Sequence, residues 1–254
     1  MRRAMVAGNW KMMGSRAEAS ALVSGIAAGA ALVGEVELAV FPAFVYLDQT
    51  QRLLADTGVA WGAQNISAEK SGAFTGEVSA SMVAEFGAEY VIIGHSERRQ
   101  YYGEDDQVVA VKYVRAIEAG LNPIVCVGET LAEREAGQTL AVVQRQLKAI
   151  LDLENAGETL YNAVIAYEPV WAIGTGQTAT PEQAQAVHRF LREQVAQRDE
   201  KLAKGLRILY GGSVKRDNAA ELMAQPDIDG GLVGGASLDS QHFLDIAQLC
   251  NRSY

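Results

Sequence analysis

The stretch that decides the fold is residues 163–198, AVIAYEPVWAIGTGQTATPEQAQAVHRFLREQVAQR. Its first five residues, 163–167, form an apolar run that predicts a buried strand. A glycine-rich segment then leads to a helix start. Thr180 as N-cap, Pro181 at the first helical position and Gln183 three residues after the cap together predict a capping box. The stretch is therefore a strand, a loop and a helix, in that order.

The same order of elements recurs along the whole chain. Eight apolar runs begin at intervals of roughly 20 to 45 residues; they are 5–9, 36–42, 59–65, 90–97, 123–129, 163–169, 207–213 and 231–237. Their continuous Val, Ile and Ala content is typical of strands that are buried on both faces of a parallel sheet. Helix-like segments lie between them, at 17–33, 106–119, 131–151, 182–198 and 239–250.

Two architectures fit this alternation: a closed (β/α)8 barrel and an open doubly wound sheet. The length of 254 residues is typical of the barrel, and no Pro- or Ser-rich linker interrupts the pattern. Polar residues at the ends of the runs favour the barrel, because its strands all point their carboxyl ends at one face, where its active sites lie. These residues are Asn9, Lys11, Asn65, His95, Glu97, Glu129, Glu168, Ser213 and Ser237. We therefore predict that residues 1–254 form a single (β/α)8 barrel domain.

The composition argues against several classes of protein. With 49% hydrophobic and 21% charged residues, the chain is typical of a globular protein, and no run of 18 apolar residues predicts a membrane span. A net charge of −9 argues against a nucleic acid or an anionic membrane as partner. Two cysteines without a C-x-x-C motif predict neither a disulfide framework nor a metal site. The N-terminal stretch lacks the apolar core of a secretory signal, so we expect a cytoplasmic protein.

The loop after the 163–167 strand has the features of a lid. Glu168 closes the strand, and the loop at 169–179 has an apolar start and a glycine-rich tip, where the backbone is permissive. The other interpretation is a surface loop beside an incidental carboxylate. GTGQTA at 174–179 also matches the dinucleotide motif G-x-G-x-x-G/A, but that motif needs its first glycine directly after a strand. Nicotinamide binding is therefore not expected.

Two glycine-rich segments end the last two predicted strands: YGGS at 210–213 and GGLVGGAS at 230–237. Paired glycines allow backbone N–H groups to point into one concavity, where they bind anions without basic side chains. The loops after strands 7 and 8 of a barrel frequently hold phosphate. Tight turns are the other interpretation. With Lys11 after the first strand as one added cation, these loops predict a phosphate site within an acidic protein.

His95 is the histidine best placed for chemistry. It ends a strand and is followed by Ser96, where a helix could begin; a helix N-terminus opposes protonation of an imidazole. The sequence thus predicts a neutral hydrogen-bond donor, and a buried structural histidine is the other interpretation. His188 and His242 lie in predicted helices and are expected to be structural or surface groups.

These motifs together resemble the triosephosphate isomerase family. GNWKM, GAQN, GAFTGE, IIGHSERR, CVGET, AYEPVWAIGTG, YGGSV and LVGGASL occur in this order over essentially the whole chain. The resemblance implies a TIM barrel that interconverts dihydroxyacetone phosphate and D-glyceraldehyde 3-phosphate through an enediolate, in glycolysis and gluconeogenesis. It implies no metal and no organic cofactor, and no motif for either is present.

The resemblance also implies a role for each candidate residue. Glu168 would be the base that moves the proton, and His95 would donate to the carbonyl oxygens. Asn9 and Lys11 would stabilise the oxyanion and hold the phosphate end, and Glu97 would order the site through Lys11. The substrate phosphate would be bound by the backbone N–H groups of Gly174, Ser213, Gly234 and Gly235, under the lid at 169–179.

The family is typically dimeric, with the loop after strand 3 inserted into the neighbouring subunit. Residues 66–80, with Thr75 near the tip, match that loop, so a homodimer is expected. A monomer with a surface loop is the other interpretation, and it would leave Phe74 and Met82 needing another partner.

Three other functions remain open at this point. A glycoside hydrolase would use two carboxylates at strand ends, and Glu97 and Glu168 could form the pair; the glycine loops and the lysine would then have no purpose. A non-catalytic sugar-phosphate binder would bind phosphate without turnover, although Glu168 and His95 weigh against it. An isomerase of another phosphorylated sugar is the third.

Overall fold

A computed structural model of the chain describes residues 2–175, 177–214 and 216–251. Its strands all run parallel, each pairs with the next along the chain, and the first pairs with the last, so the sheet closes into a barrel. The strands are β1 (Met5–Asn9), β2 (Glu37–Phe41), β3 (Ala60–Ala63), β4 (Tyr90–Ile93), β5 (Asn122–Val127), β6 (Val164–Tyr167), β7 (Arg207–Tyr210) and β8 (Gly230–Val233).

The pairing of β1 with β8 decides between the two predicted architectures. Met5 lies opposite Gly230 and Gly8 opposite Val233, a contact that an open doubly wound sheet does not make. Gly230 has a φ of +134°, and a Cβ there would lie 1.8 Å from the Met5 carbonyl oxygen. Only glycine allows so close an approach. The predicted (β/α)8 TIM barrel is confirmed.

Helices cover the outside of the barrel. They are α1 (Arg16–Gly29), α2 (Leu47–Leu54), α3 (Ala80–Ala84), α4 (Ser96–Tyr102), α5 (Asp106–Glu118), α6 (Leu131–Glu135), α7 (Thr139–Leu151), α8 (Ala156–Thr159), α9 (Pro181–Ala196), α10 (Glu200–Gly205), α11 (Arg216–Met223) and α12 (Ser240–Leu249). Shorter 3₁₀ turns form at Ala30–Val33, Phe44–Tyr46, Leu160–Asn162, Val170–Ala172 and Gly235–Leu238.

Two of the helix predictions show how local chemistry sets the boundaries. The capping box of Thr180 and Gln183 at the start of α9 is confirmed, with both reciprocal hydrogen bonds formed. The predicted helix at 131–151 is instead two helices, α6 and α7, because Gly137 adopts a φ of +70° between them. A left-handed glycine ends a helix in this way.

The strands separate two apolar layers. Side chains that point inward fill the barrel interior: Met5, Ala7, Ala39, Phe41, Ala60, Tyr90, Ile92, Ile124, Cys126, Val164, Ala166, Leu209 and Leu232. The alternate residues, such as Val6, Val40 and Val91, pack outward against the helices. The strands are thus buried on both faces, as their continuous apolar runs predict.

The segment Arg16–Val33 is long and apolar enough, by length and composition, to cross a membrane. In the structure it comprises α1 and the following 3₁₀ turn. Its buried residues, Ala19, Val23, Ile26 and Gly29, recur at intervals of three or four and form a single stripe. This stripe is typical of a helix that lies on the surface of a barrel.

Candidate active site

A cavity of about 410 Å³ opens at the carboxyl ends of the strands. All but one of the predicted site residues line it; these are Asn9, Lys11, His95, Glu168, Gly174, Ser213, Gly234 and Gly235. Glu97 is the exception, and it reaches the cavity through an ion pair with Lys11. The strand ends thus bring together residues that are up to 226 positions apart in the sequence.

The end of β1 turns sharply so that Lys11 faces the cavity. Lys11 has a φ of +53°, a region that residues other than glycine seldom adopt. Asn9 supports this turn by accepting a 3.0 Å hydrogen bond from the Lys11 N–H. The side chain of Gln64 donates to the Lys11 carbonyl oxygen and to that of Phe41, both at 2.8 Å. The Lys11 ammonium lies 2.6 Å from Oε1 of Glu97.

His95 is the N-cap residue of α4, and its side chain is buried. Its Nδ1 accepts a 3.2 Å hydrogen bond from the Glu97 N–H, so the ring proton of the neutral form is on Nε2. Burial lowers the pKa of His95, but the carboxylate of Glu168 beside it outweighs burial, and the pKa is raised. The helix N-terminus predicted the opposite direction, and the contact with Glu168 is the reason for the difference.

Glu168 directly follows β6 and is fully enclosed. Its Oε2 accepts a 2.8 Å hydrogen bond from the Ser96 N–H, and its Oε1 lies 2.9 Å from Nε2 of His95. Burial raises the pKa of Glu168, but the His95 ring and the Ser96 N–H outweigh it, so the pKa is lowered. Oε1 has no aligned hydrogen-bond donor among the described residues. The ionised carboxylate therefore has one oxygen bound by a peptide N–H and one that lies against the His95 ring.

Glycines make the space in which Glu168 sits. A Cβ on Gly211 would lie 2.9 Å from Cγ of Glu168, and a Cβ on Gly128 would lie 1.7 Å from the Glu168 carbonyl oxygen. Larger residues at either position would push Glu168 out of place. The absence of a side chain at both positions is thus a requirement of the site.

The two glycine-rich loops also line the cavity. Gly211, Gly212 and Ser213 follow β7, while Gly234 and Gly235 follow β8 at the start of a 3₁₀ turn. The Ser237 hydroxyl donates to the Gly234 carbonyl oxygen at 2.7 Å, which fixes the second loop. A Cβ on Gly234 would lie 3.5 Å from Cε of Lys11, so the lysine stem runs along this loop. Backbone N–H groups and an ammonium group are the donors that bind a phosphate dianion.

Comparison with known proteins identifies the family of the chain. The chain matches the family model described as "Triosephosphate isomerase" over residues 4–250. The chain belongs to the triosephosphate isomerase family. Relatives of that name include the protein of Cupriavidus necator, 64% identical over 246 residues, which cover 97% of this chain and 99% of the relative. The protein of Thiobacillus denitrificans is 60% identical, with 98% of both chains covered. That of Coxiella burnetii is 51% identical over 253 residues, covering 100% and 99%.

Membership of the triosephosphate isomerase family identifies the chain as an isomerase of triose phosphates, which catalyses a reaction of glycolysis. The loop at 169–179 contributes Ile173 and Gly174 to the lining of the cavity; its Gly176 lies outside the described residues. Its first turn is anchored to Glu129, whose Oε1 accepts a 3.0 Å hydrogen bond from the Trp171 indole. The Glu129 carboxylate also accepts from the Tyr167 hydroxyl at 3.1 Å. The Arg134 guanidinium stacks over the Trp171 ring, 4.4 Å from its centroid.

Not every polar residue at a strand end faces the cavity of this isomerase. Asn65 points outward and accepts a 2.7 Å hydrogen bond from Lys112, whereas the neighbouring Gln64 supports the Lys11 turn. Glu129 bonds to Trp171 of the loop at 169–179 and does not line the cavity. In the predicted run at 59–65 successive residues would point to opposite sides, so the position of Gln64 directly before Asn65 is the signal that could have identified it.

The loop at 66–80 is held at its base by a 2.8 Å hydrogen bond from the Ser67 N–H to the Val78 carbonyl oxygen. Its tip is exposed in the single chain, with 46% of Phe74 accessible to solvent, and 50% of Met82 beyond it is accessible too. A large exposed apolar residue at a loop tip is typical of a contact with another protein. The loop predicted to enter a neighbouring subunit is thus free to do so.

Proposed function

We propose that Glu168, His95, Lys11 and Asn9 carry out the isomerisation of this family in this chain. Glu168 removes a proton from the carbon next to the carbonyl of dihydroxyacetone phosphate, and the electron pair moves to the carbonyl oxygen to give an enediolate. Return of the proton to the adjacent carbon gives D-glyceraldehyde 3-phosphate. The observation that carries this proposal is that Glu168 and His95 lie 2.9 Å apart in the cavity that the two glycine loops close.

The carboxylate becomes a stronger base when it moves to the substrate. In the resting geometry His95 and the Ser96 N–H lower the pKa of Glu168 against the effect of burial. Turning toward a substrate carbon removes both contacts, while the enclosed surroundings continue to raise its pKa. Closure of the loop at 169–179 would exclude water and increase this effect.

His95 is placed to stabilise charge on the two substrate oxygens. Its Nδ1 is occupied by the Glu97 N–H, so the Nε2 proton is the one that it can donate into the cavity. Once Glu168 has turned away, the contact that raises the pKa of His95 is lost, and burial favours the neutral ring. The same nitrogen can then pass a proton between the adjacent oxygens.

Lys11 and Asn9 stabilise the growing negative charge from the end of β1. Glu97 orients the Lys11 ammonium at 2.6 Å and is a positioning residue. The substrate phosphate binds to the backbone N–H groups of Gly174, Ser213, Gly234 and Gly235. Because Glu97 does not line the cavity, it is badly placed as the second carboxylate of a glycoside hydrolase.

We also propose the wider setting of the enzyme. Residues 1–254 act as one domain that works as a homodimer in the cytoplasm, in glycolysis and gluconeogenesis, with the loop at 66–80 in the neighbouring subunit. A Thr75→Arg variant is expected to sediment as a monomer at concentrations where the parent chain is a dimer. A parent chain that is itself monomeric would contradict the dimer proposal.

The test of the chemistry is a Glu168→Gln variant in a coupled assay for triose phosphate interconversion. The amide keeps the size of the side chain but cannot take a proton, and we expect kcat to fall by at least about 10³. Inhibition of the residual activity by inorganic phosphate should be unchanged, since phosphate is proposed to bind to backbone N–H groups rather than to the Glu168 carboxylate. A kcat close to that of the parent enzyme would refute the role of Glu168.

A further inference from the structure

The barrel has an open seam between β4 and β5 directly beneath the site. The two strands pair only as far as Ile93 and Val125, because the chain leaves the sheet at Gly94, where φ is +67°, to place His95 in the cavity. β5 and its extension continue along β6: the Glu168 N–H donates to the Val127 carbonyl oxygen at 2.8 Å. The edge of β5 that faces β4 therefore loses its partner strand earlier along the chain than the edge that faces β6.

Alternation along β5 determines which peptide groups face this seam. The carbonyl oxygens of Val127 and Glu129 point toward β6, where they accept from the N–H groups of Glu168 and Val170, at 2.8 and 3.0 Å. Successive residues of a strand direct their peptide groups to opposite edges. Gly128, between these two, therefore turns its N–H and its carbonyl oxygen toward the place that β4 has left.

A side chain from a distant helix occupies that place. The Gly128 N–H donates to Oε1 of Gln146 at 2.7 Å, and Nε2 of Gln146 donates to the Gly128 carbonyl oxygen at 3.1 Å. A carboxamide carries the same donor and acceptor as a peptide group, so Gln146 of α7 replaces a residue of the missing strand. Gln146 is buried, 6% exposed, and lines a cavity of about 800 Å³ that Glu168 also lines.

The Gly128 peptide also contacts the backbone of Glu168, the proposed base. A Cβ on Gly128 would lie 1.7 Å from the Glu168 carbonyl oxygen, so the two backbones are in direct contact. The neighbouring peptide groups of Val127 and Glu129 hold the backbone on both sides of Glu168. A shift of Gly128 toward the seam would therefore move the backbone that carries the catalytic carboxylate.

We infer that Gln146 is a positioning residue for the catalytic base: by replacing the missing β4 residue it holds Gly128, and through Gly128 it holds Glu168. The inference rests on the proposed role of Glu168. Without the carboxamide, the two polar groups of Gly128 lose their partners and draw the peptide toward water in the seam. Misplacement of a reacting group by about 1 Å costs on the order of 10²-fold in rate.

The first test is a Gln146→Met variant, which keeps the length of the side chain and removes both hydrogen bonds. We expect kcat to fall by about 10- to 100-fold, with KM and inhibition by inorganic phosphate unchanged. Gln144→Met is the matched control: Gln144 lies on the same helix, is exposed, and bonds only to Gln194 among the described residues. A lower melting temperature with an unchanged kcat would show that Gln146 only stabilises the fold, and would overturn the inference.

The second test is a Gln146→Glu variant, which does not depend on the methionine variant folding. A protonated carboxyl group has the donor and acceptor of the amide, whereas a carboxylate places a second acceptor against the Gly128 carbonyl oxygen. Burial raises the pKa of the introduced group. Activity relative to the parent enzyme at each pH should therefore recover as the pH falls. A ratio that does not change with pH would overturn the inference.

The outcomes also separate this inference from the proposed function. If Glu168→Gln is inactive while Gln146→Met keeps the parent kcat, only the role of Gln146 fails. If Glu168→Gln remains active, the proposed base is wrong, and the positioning role falls with it.

Discussion

The two ends of the barrel carry similar charged side chains but satisfy them differently. At the amino end, the carboxylate of Asp229 accepts from Nε of Arg2 at 2.6 Å, from the Arg192 guanidinium at 2.7 Å and from the Ile208 N–H at 2.9 Å. At the carboxyl end, Glu168 keeps an oxygen without an aligned donor among the described residues. The Asp229 carboxylate is thus bound by two guanidinium groups and a peptide N–H, whereas Glu168 is bound by a histidine ring and a peptide N–H.

The pKa values show that burial alone does not distinguish the two ends. Burial raises the pKa of Glu37 at the amino end, but Arg207 and the Tyr90 hydroxyl outweigh it, so the pKa is lowered, as it is for Glu168. The two carboxylates differ in the groups that lower their pKa. Glu37 is held by a guanidinium that cannot lose its proton, whereas Glu168 is held by an imidazole and an N–H that it can leave.

The largest effect is expected at the fully bonded end. Arg192 binds Asp227 and Asp229 and donates to the carbonyl oxygens of Ala203 and Leu206 at 2.7 Å. Arg192→Leu removes the guanidinium from both carboxylates and both carbonyl oxygens, while Asp229 keeps Arg2 and the Ile208 N–H. Because removing one partner of a buried ion pair is strongly destabilising, we expect the free energy of unfolding to fall by about 3–5 kcal/mol. Denaturant unfolding measures this loss. The kcat per folded molecule should not change.

Arg189→Leu is the control for that loss. Arg189 lies on the same helix and pairs with Glu193 at the surface, so its removal should leave unfolding almost unchanged. If Arg192→Leu were no more destabilising than Arg189→Leu, the amino end would not be the stabilising end of the barrel.

The next largest effect is expected at the carboxyl end of the barrel, where the substitution should lower activity rather than stability. His95→Gln removes an oxyanion donor, and we expect kcat to fall by about 10² to 10³, equivalent to about 2.7–4 kcal/mol. The melting temperature should change little, because His95 has few partners to lose. Steady-state kinetics and calorimetry on the same preparation measure both. A loss confined to KM would count against the proposed role of His95.

Sequence patterns predicted the barrel and eight of the residues that line its cavity, because strand ends and apolar runs are local features. Its strand boundaries were less accurate: the run at 90–97 extends past the end of β4 at Ile93, since His95 must leave the sheet. Residues that act through a distant backbone were not predicted. Gln64 and Gln146 look like ordinary polar residues, and only the closed barrel shows that one holds Lys11 and the other holds Gly128.

A third prediction concerns His188, which lies in α9 and is fully buried. Burial lowers the pKa of His188 to about 3, despite its contact with the Asp227 carbonyl oxygen. In the unfolded chain its pKa is about 6.5, so between these values the unfolded state binds a proton that the folded state does not. Stability is therefore complete above pH 6.5 and falls as the pH drops, by about 1.4 kcal/mol per unit.

Denaturant unfolding at a series of pH values measures this slope. His188→Gln should flatten it between pH 6.5 and pH 5, where the parent chain loses about 2 kcal/mol from this group. His242 is exposed at the start of α12, and His242→Gln is the matched control. Equal slopes in the parent chain and the His188→Gln variant would contradict the assignment.

The smallest effect is expected at the first turn of the loop at 169–179. Arg134 pairs with Glu129 at 3.2 Å and stacks on the Trp171 ring, and Trp171 itself donates to Glu129. Arg134→Leu removes the guanidinium but keeps this indole hydrogen bond, so the first turn of the lid should be loosened rather than released. A partly exposed cation–π contact is worth about 0.5–1 kcal/mol, which corresponds to a two- to fivefold decrease in kcat/KM. Trp171→Leu removes both contacts and should cost more; if the two variants were equally impaired, the guanidinium rather than the indole would be the anchor of the lid.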